Sequence, residues 1–183
     1  MRKLKIAAAI VVGLFVLVTA VGFVLPRKCH CERSIVVAST PEAIYPLIAN
    51  FKDGWSQWTP FKYDKTPVTY EGPTEGAGAL QRWDGPDSGD GSLKIVRADP
   101  ARGVEMELSL MQESYKATGS LLCEPAGPGQ TKVTWIDDFD MGNSPYRRWF
   151  GLALPSAIGK EFDKGLLTLK EKAEAQHPKT AAQ

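Results

Sequence analysis

Acid–base chemistry in this chain would fall to carboxyl, tyrosine or arginine side chains, because histidine is scarce and poorly placed. Two histidines occur in 183 residues. His30 follows directly on a long apolar segment and His177 lies in a polar C-terminal stretch, so neither suits an internal base. No Gly-x-Ser-x-Gly elbow, His-Glu-x-x-His helix or Cys-x-x-Cys pair is present. Asp137, Tyr115 and Arg82, all in strand-like sequence, are the remaining candidates for moving a proton, with Asp138 beside them. A carboxyl enclosed in apolar surroundings has its pKa raised towards neutrality, where it can accept and return protons. Glu105 and Glu107 alternate with Met106 and Leu108 and read as a solvated outer face.

The three cysteines support several readings. Cys29-His30-Cys31 offers soft ligands, but a closed zinc site wants four, and neither a metal nor a cofactor is expected. The two cysteines can form a tight intrachain disulfide, or residues 29–31 can be a plain juxtamembrane linker. Cys123 sits alone in a predicted strand, which leaves an odd thiol.

The elements that must position these groups follow from periodicity. Residues 32–38 read as a first strand, with Ile35 and Val37 on one face. Ser39-Thr40-Pro41-Glu42 announces a helix, with Ser39 as cap, Glu42 closing a capping box and Pro41 in the first turn. Ile44, Leu47, Ile48 and Phe51 form its apolar stripe. Trp55, Trp58, Pro60, Phe61 and Tyr63 make an aromatic connection. Six strands are then predicted at about 66–70, 77–83, 91–98, 104–110, 115–124 and 131–139, separated by glycine- and proline-rich turns. Connections this short imply antiparallel hairpins. From Ser144-Pro145 onwards, Phe150, Leu154, Ile158, Phe162, Leu166 and Leu169 mark one stripe of a long helix, which Pro155 should interrupt or kink. A polar tail is expected over 175–183.

An apolar face of a long antiparallel sheet cannot stay wet, so the sheet should curl around the terminal helix, enclosing space between them. Alternation puts Val133, Trp135 and Asp137 on one face of their strand, and Met106, Leu108 and Leu110 on one face of another. Tyr115, Ala117, Gly119 and Leu121 share a side in the same way. Arg82 and Trp83 point to opposite sides, so only one can face inward. The expected ligand-binding set is Trp135, Tyr115, Met106, Leu108, Val133, Trp55, Trp58 and Phe162. For the two tryptophans of the connection, bracing the short helices is the competing reading.

Ahead of all this lies a run from Ile6 to Leu25 without a charge, between Arg2, Lys3, Lys5 and Pro26-Arg27-Lys28. Twenty helical residues reach about 30 Å, the hydrocarbon thickness of a bilayer. Residues 1–28 read as an uncleaved anchor; the alternative is a signal peptide cut after Val18-Thr19-Ala20. Lys28 before Cys29 excludes a lipobox. Basic residues favour a cytoplasmic N-terminus and an exported domain by a narrow margin. Over the whole chain 22 Lys and Arg face 21 Asp and Glu. Removing the five basic residues up to Lys28 leaves seventeen against twenty-one, about −4, which is the wrong sign for nucleic acid.

Several segments in this order resemble the START-like, Bet v 1-like superfamily, in particular its polyketide cyclase/dehydrase (SRPBCC) group. They are Glu32-Arg33-Ser34-Ile35-Val36-Val37 with Ser39-Thr40-Pro41-Glu42-Ala43-Ile44-Tyr45, Trp55-Ser56-Gln57-Trp58-Thr59-Pro60, and Gly76-Ala77-Gly78 with Trp83 and Gly89-Asp90-Gly91. Lys132-Val133-Thr134-Trp135 and the helix from Phe162 to Lys170 complete the set. The resemblance spans about 32–174. It implies an α+β helix-grip fold, a seven-stranded antiparallel sheet curved around a long C-terminal helix, with a cavity for apolar molecules. It carries no single activity. The expectation is a membrane-tethered binding or carrier domain for a lipid or other apolar small molecule. The alternatives are a cofactor-independent cyclase/dehydrase-like enzyme, or an anchored interaction module with a protein partner.

Overall fold

Alternating apolar residues, punctuated by glycine and proline, produce seven strands in one antiparallel sheet of order β1-β7-β6-β5-β4-β3-β2. The structure is a computed structural model and describes residues 2–61, 66–85, 89–111 and 115–176. Chain order is α1 (Arg2–Val24), β1 (Lys28–Val37), α2 (Pro41–Ala49), a π-helical turn (Phe51–Trp55) and α3 (Ser56–Trp58). Then come β2 (Val68–Glu71), β3 (Leu80–Gly85), β4 (Gly89–Asp99), β5 (Gly103–Leu110), β6 (Tyr115–Gly127), β7 (Gln130–Asp140) and α4 (Pro145–Gln176). This is the helix-grip arrangement expected. Tyr63 and His177, with the rest of the tail beyond Gln176, lie outside the described residues.

The helices sit on one face of the sheet because only that face is apolar. On α2, Ile44, Leu47 and Ile48 are buried, and on α4, Phe162, Leu166, Leu169 and Ala173. They share one buried cluster with Val37, Leu121, Val133 and Trp135 from the strands. Trp135 is the hub of that cluster. It stacks on Phe162 with ring centroids 4.1 Å apart and planes within 5°, and Trp55 and Trp58 meet it edge-on at 5.4 and 5.3 Å. Gly165 makes room for this: a Cβ there would lie 3.0 Å from the Trp135 ring and 2.9 Å from Pro60.

Several local expectations change. Residues 29–31 are not a linker: β1 starts at Lys28 and pairs residue by residue with β7 as far as Lys28 opposite Asp140. Cys29 and Cys31 both point inward from that strand, buried and unpaired, so there is no disulfide between them. The α2 cap is Thr40, not Ser39, and its side chain makes no capping bond. Phe150 leaves the expected stripe and is exposed, while α4 runs on through Pro155 and past residue 174 to Gln176.

α1 is 23 residues long and apolar enough to cross a bilayer, a test that a signal sequence passes as well. Its C-terminal end is fastened to the domain. The Arg148 guanidinium donates to the Phe23 and Leu25 carbonyls at 2.7 and 3.3 Å. Arg27 grips Asp140 at the end of β7 through two bonds of 2.6 and 2.7 Å, which hold that carboxyl down to about 2.

Trp135→Ala should destabilise the fold by about 3–5 kcal/mol, as large buried aromatic truncations do, because it empties the centre of the aromatic cluster. Chemical denaturation of the two proteins measures this, and equal midpoints would show that the hub is not structural.

Candidate functional site

The packing under α4 is uneven. Where Phe162, Leu166 and Leu169 meet the sheet it is filled. Towards the N-terminal half of α4 a cavity of about 460 Å³ remains, within the size range of small-molecule sites. Its sheet wall includes Trp83 of β3, Leu93 of β4, and Met106, Leu108 and Leu110 of β5. Gly119 of β6 and Trp135, Asp137 and Phe139 of β7 continue that wall, which Ile158 of α4 closes on one side and Trp55, Pro60 and Phe61 on another.

One carboxyl enters this apolar space. Asp137 follows Trp135 by two residues and so faces the same way. Burial pushes its pKa up to about 7, against the pull of the Trp135 indole N–H, which donates towards the carboxylate; neighbouring Asp138 adds a smaller upward push. The space for it comes from the opposite strand. Gly119 pairs with Asp137, and a Cβ on Gly119 would stand 2.6 Å from an Asp137 oxygen. The Trp55 ring lines the cavity too, with its indole N–H buried and without a hydrogen-bond partner among the described residues. A carboxyl that is half ionised near neutrality can hold or move a proton at a ligand atom.

The structure brings together Trp135, Met106, Leu108 and Asp137, which strand alternation groups on inner faces, and adds Trp55 from the π-helical turn. Other expected site residues lie elsewhere. Tyr115 is at the strand end outside the cavity wall, its ring covered by the Arg147 guanidinium at 4.2 Å. Arg82 is on the outer face, paired with Glu71 at 3.0 Å, and Trp83 takes the inward position. Val133 is fully buried in the filled part of the core, opposite Ile35 and Cys123. Phe162 supports Trp135 from behind. Trp58 is a brace, donating its indole N–H to the Leu47 carbonyl at 2.8 Å.

The expected ligand-binding set omits Pro60, Phe61, Leu93 and Phe139, and it also lacks Trp83, Leu110 and Gly119, which line the cavity as well. Phe139 continues the Trp135–Asp137 alternation and was readable by that rule; Pro60 and Phe61 belong to a connection without periodicity. Asp138 is on the outer face, bonded to His30 Nδ1 at 2.8 Å. Glu105 and Glu107 are exposed, as expected. Burial raises Cys123 to about 12, so it is no thiolate nucleophile at neutral pH. Among the described residues no cluster of His, Cys, Asp and Glu has the makings of a metal site.

The sequence matches, over residues 28–174, the model of a family described as polyketide cyclase/dehydrase and lipid transport. Among solved structures it is similar to the Zhui aromatase/cyclase from Streptomyces sp. R1128. The identity is 14%, covering 85% of this chain and 99% of that one, with a TM-score of 0.57. It is also similar to norcoclaurine synthase from Thalictrum flavum, at 11% identity, 87% and 94% coverage and a TM-score of 0.57. DynU16, a protein of the dynemicin biosynthetic locus, aligns at 13% identity over 81% of this chain with a TM-score of 0.55, and there the chain spans 48% of its counterpart's length. Identities this low show a shared fold. No curated relative matches the sequence significantly.

The raised Asp137 pKa makes stability depend on pH in a definite direction. Between the ordinary value of 3.8 and about 7 the folded state holds a proton that the unfolded chain has released. Stability therefore falls as pH rises through this window, by on the order of 4 kcal/mol at most for a three-unit shift. Asp137→Asn should abolish that fall, gaining stability over the parent at pH 8 and changing little at pH 4. Denaturation at the two pH values reads the difference. Trp135→Phe, which deletes the indole donor, should move the Asp137 carboxyl titration in NMR still higher; an unmoved titration would mean the donor does not reach it.

Proposed function

The chain belongs to the polyketide cyclase/dehydrase and lipid transport family, and on that premise we propose that it binds one compact apolar molecule, aromatic or short-chained, in the cavity beneath α4. The observation that carries this reading is the cavity itself, about 460 Å³ of mainly apolar wall with a single carboxyl inside. A fully filled grip would have favoured the interaction module instead. The ligand's polar group has one partner waiting: Asp137 in its protonated form donates, and in its ionised form accepts. A ligand with a carbonyl or hydroxyl on an apolar body satisfies it. Norcoclaurine synthase, which shares the fold, holds dopamine and hydroxybenzaldehyde, molecules of that general kind.

In this reading the domain is tethered through α1, with the N-terminus cytoplasmic and the domain exported. A cleaved signal would leave the same cavity in a secreted or periplasmic protein. A second reading is favoured by one specific observation. Asp137 titrates near 7, where a carboxyl is useful as a general acid or base. A proton transfer between Asp137 and the ligand, with water excluded by Trp135, Phe61 and Leu108, would make the domain a cofactor-independent enzyme of the cyclase or dehydratase type. Both readings use the same ligand site and differ in whether the ligand leaves unchanged.

Full-length protein in lipid nanodiscs, examined by native mass spectrometry, should release one apolar small molecule per chain. Leu108→Trp, which fills the cavity from β5, should keep the fold and lose that molecule. Equal retention by the two proteins, or no retention of any member of an aromatic and short-acyl panel by the parent, would defeat the binding reading. With a ligand in hand, a product formed by the parent and not by Asp137→Asn separates the enzyme from the binder.

A further inference from the structure

α4 begins with residues that a soluble surface helix seldom shows. Tyr146, Trp149, Phe150 and Leu152 are 49%, 38%, 60% and 55% exposed, and Arg147 and Arg148 stand among them. Their surroundings are set by α1. The Thr19 hydroxyl donates to the Phe15 carbonyl at 2.8 Å, so the Tyr146 hydroxyl, 3.1 Å away, is the donor to Thr19. The Trp149 indole N–H donates to the Val18 carbonyl at 3.0 Å. The Tyr146 ring lies 6.2 Å from that of Phe15. Gly22, the buried residue of α1, admits Pro145: a Cβ there would be 2.7 Å from the proline.

These partners are inside the apolar run, not at its edge. Thr19 is six residues before Leu25, about 9 Å down the helix axis at 1.5 Å per residue. Wherever the last two turns of α1 go, Tyr146 and Trp149 go too. We propose that the first two turns of α4, residues 145–152, are embedded in the lipid interface beside the end of α1, and that they seat the domain on the bilayer. The proposal rests on α1 being a membrane anchor. Its chemistry suits a phospholipid surface. Tyrosine and tryptophan favour the headgroup boundary, interfacial helices sink about 5–10 Å, and the Tyr146 hydroxyl and Trp149 indole already have partners on α1, as the bilayer interior demands.

The consequence is a cavity held next to lipid. Only Leu25, Pro26 and Arg27 separate α1 from β1. Lys28 pairs with Asp140, and Asp137 is three residues along β7 from there, about 10 Å at strand spacing. Leu110 and Tyr115, at the adjoining strand ends, and Ile158, two turns beyond the embedded segment, border or line the same space. A ligand therefore exchanges with the leaflet at short range, and need not cross water.

The test uses the full chain in vesicles of phosphatidylcholine and phosphatidylglycerol. A fluorophore is placed at Phe150→Cys, Leu152→Cys, Ile10→Cys or Arg97→Cys in turn, with the parent and its three buried thiols checked for lack of labelling. Arg97 is at the opposite end of β4 and serves as the solvent control. Lipids spin-labelled high on the acyl chain should quench the probe at positions 150 and 152 and spare it at 97. Quenching at position 10 without quenching at 150 and 152 would overturn the proposal while leaving the anchor in place. No quenching at any position would remove the anchor reading, and the docking with it.

Discussion

The parallel stack of Trp135 on Phe162 is the contact on which the rest of the fold hangs, because it fixes how far α4 stands from the sheet. On its C-terminal side the helix carries Leu166, Leu169 and Ala173 into the same buried cluster as Val133 and Cys123, and that half is filled. On its N-terminal side Ile158 is the next apolar residue, half-buried, smaller than a phenyl ring, and packed against the cluster of Cys29, Ala117, Phe139 and Met141. A helix held at one end by two stacked rings and faced at the other by Leu108, Leu110 and Phe139 must leave space between. The cavity is thus the outcome of residue size along one helix, and Gly165 is the residue that lets the rings sit so close to the chain.

The same tryptophan governs the electrostatics. Its ring excludes water from one side of Asp137, which raises the carboxyl, and its N–H points to that carboxyl, which lowers it. Burial is the larger effect, and the balance lies near neutrality. A second carboxyl or a buried cation would have driven the value far from 7 in one direction or the other. Gly119 across the sheet is equally necessary, because any side chain there would occupy the carboxyl's place. One hub residue, one missing side chain and one acid therefore account for the site's chemistry.

Strand alternation made much of this legible beforehand. It put Trp135 and Asp137 on the inner face, grouped Met106 with Leu108, and required that Arg82 and Trp83 part ways; only the choice between those two needed coordinates. It failed where a side chain's fate depends on a partner far along the chain. Tyr115 has the right face, but Arg147 of α4 covers it. Phe150 fits the helical stripe, but at that turn the buried Gly151 takes the inward position against Met141 and Cys29, and Phe150 faces out. Cys29-His30-Cys31 looks like a linker because its strand character comes from pairing with β7, over a hundred residues away. Pro60 and Phe61 carry no period at all, so nothing local marks them as the cavity's cover.

The missing linker bears on the binding role proposed for this family member. A domain that shuttles ligand between two membranes needs a tether long enough to reach, or none. Here β1 follows α1 after three residues, Arg27 locks onto Asp140, and Arg148 satisfies the carbonyls at the end of α1, the groups that a helix otherwise leaves bare. Each contact ties the sheet to the helix and restricts how far the two can swing apart. In the tethered form proposed here, the cavity stays beside one leaflet, taking up a molecule from that layer or passing it to an adjacent protein. A form cleaved after Ala20 would lose the Thr19 and Val18 partners of Tyr146 and Trp149, and the exposed turn of α4 would then be bare to water. In the tethered form proposed here, that turn's aromatic residues have lipid and α1 to lie against.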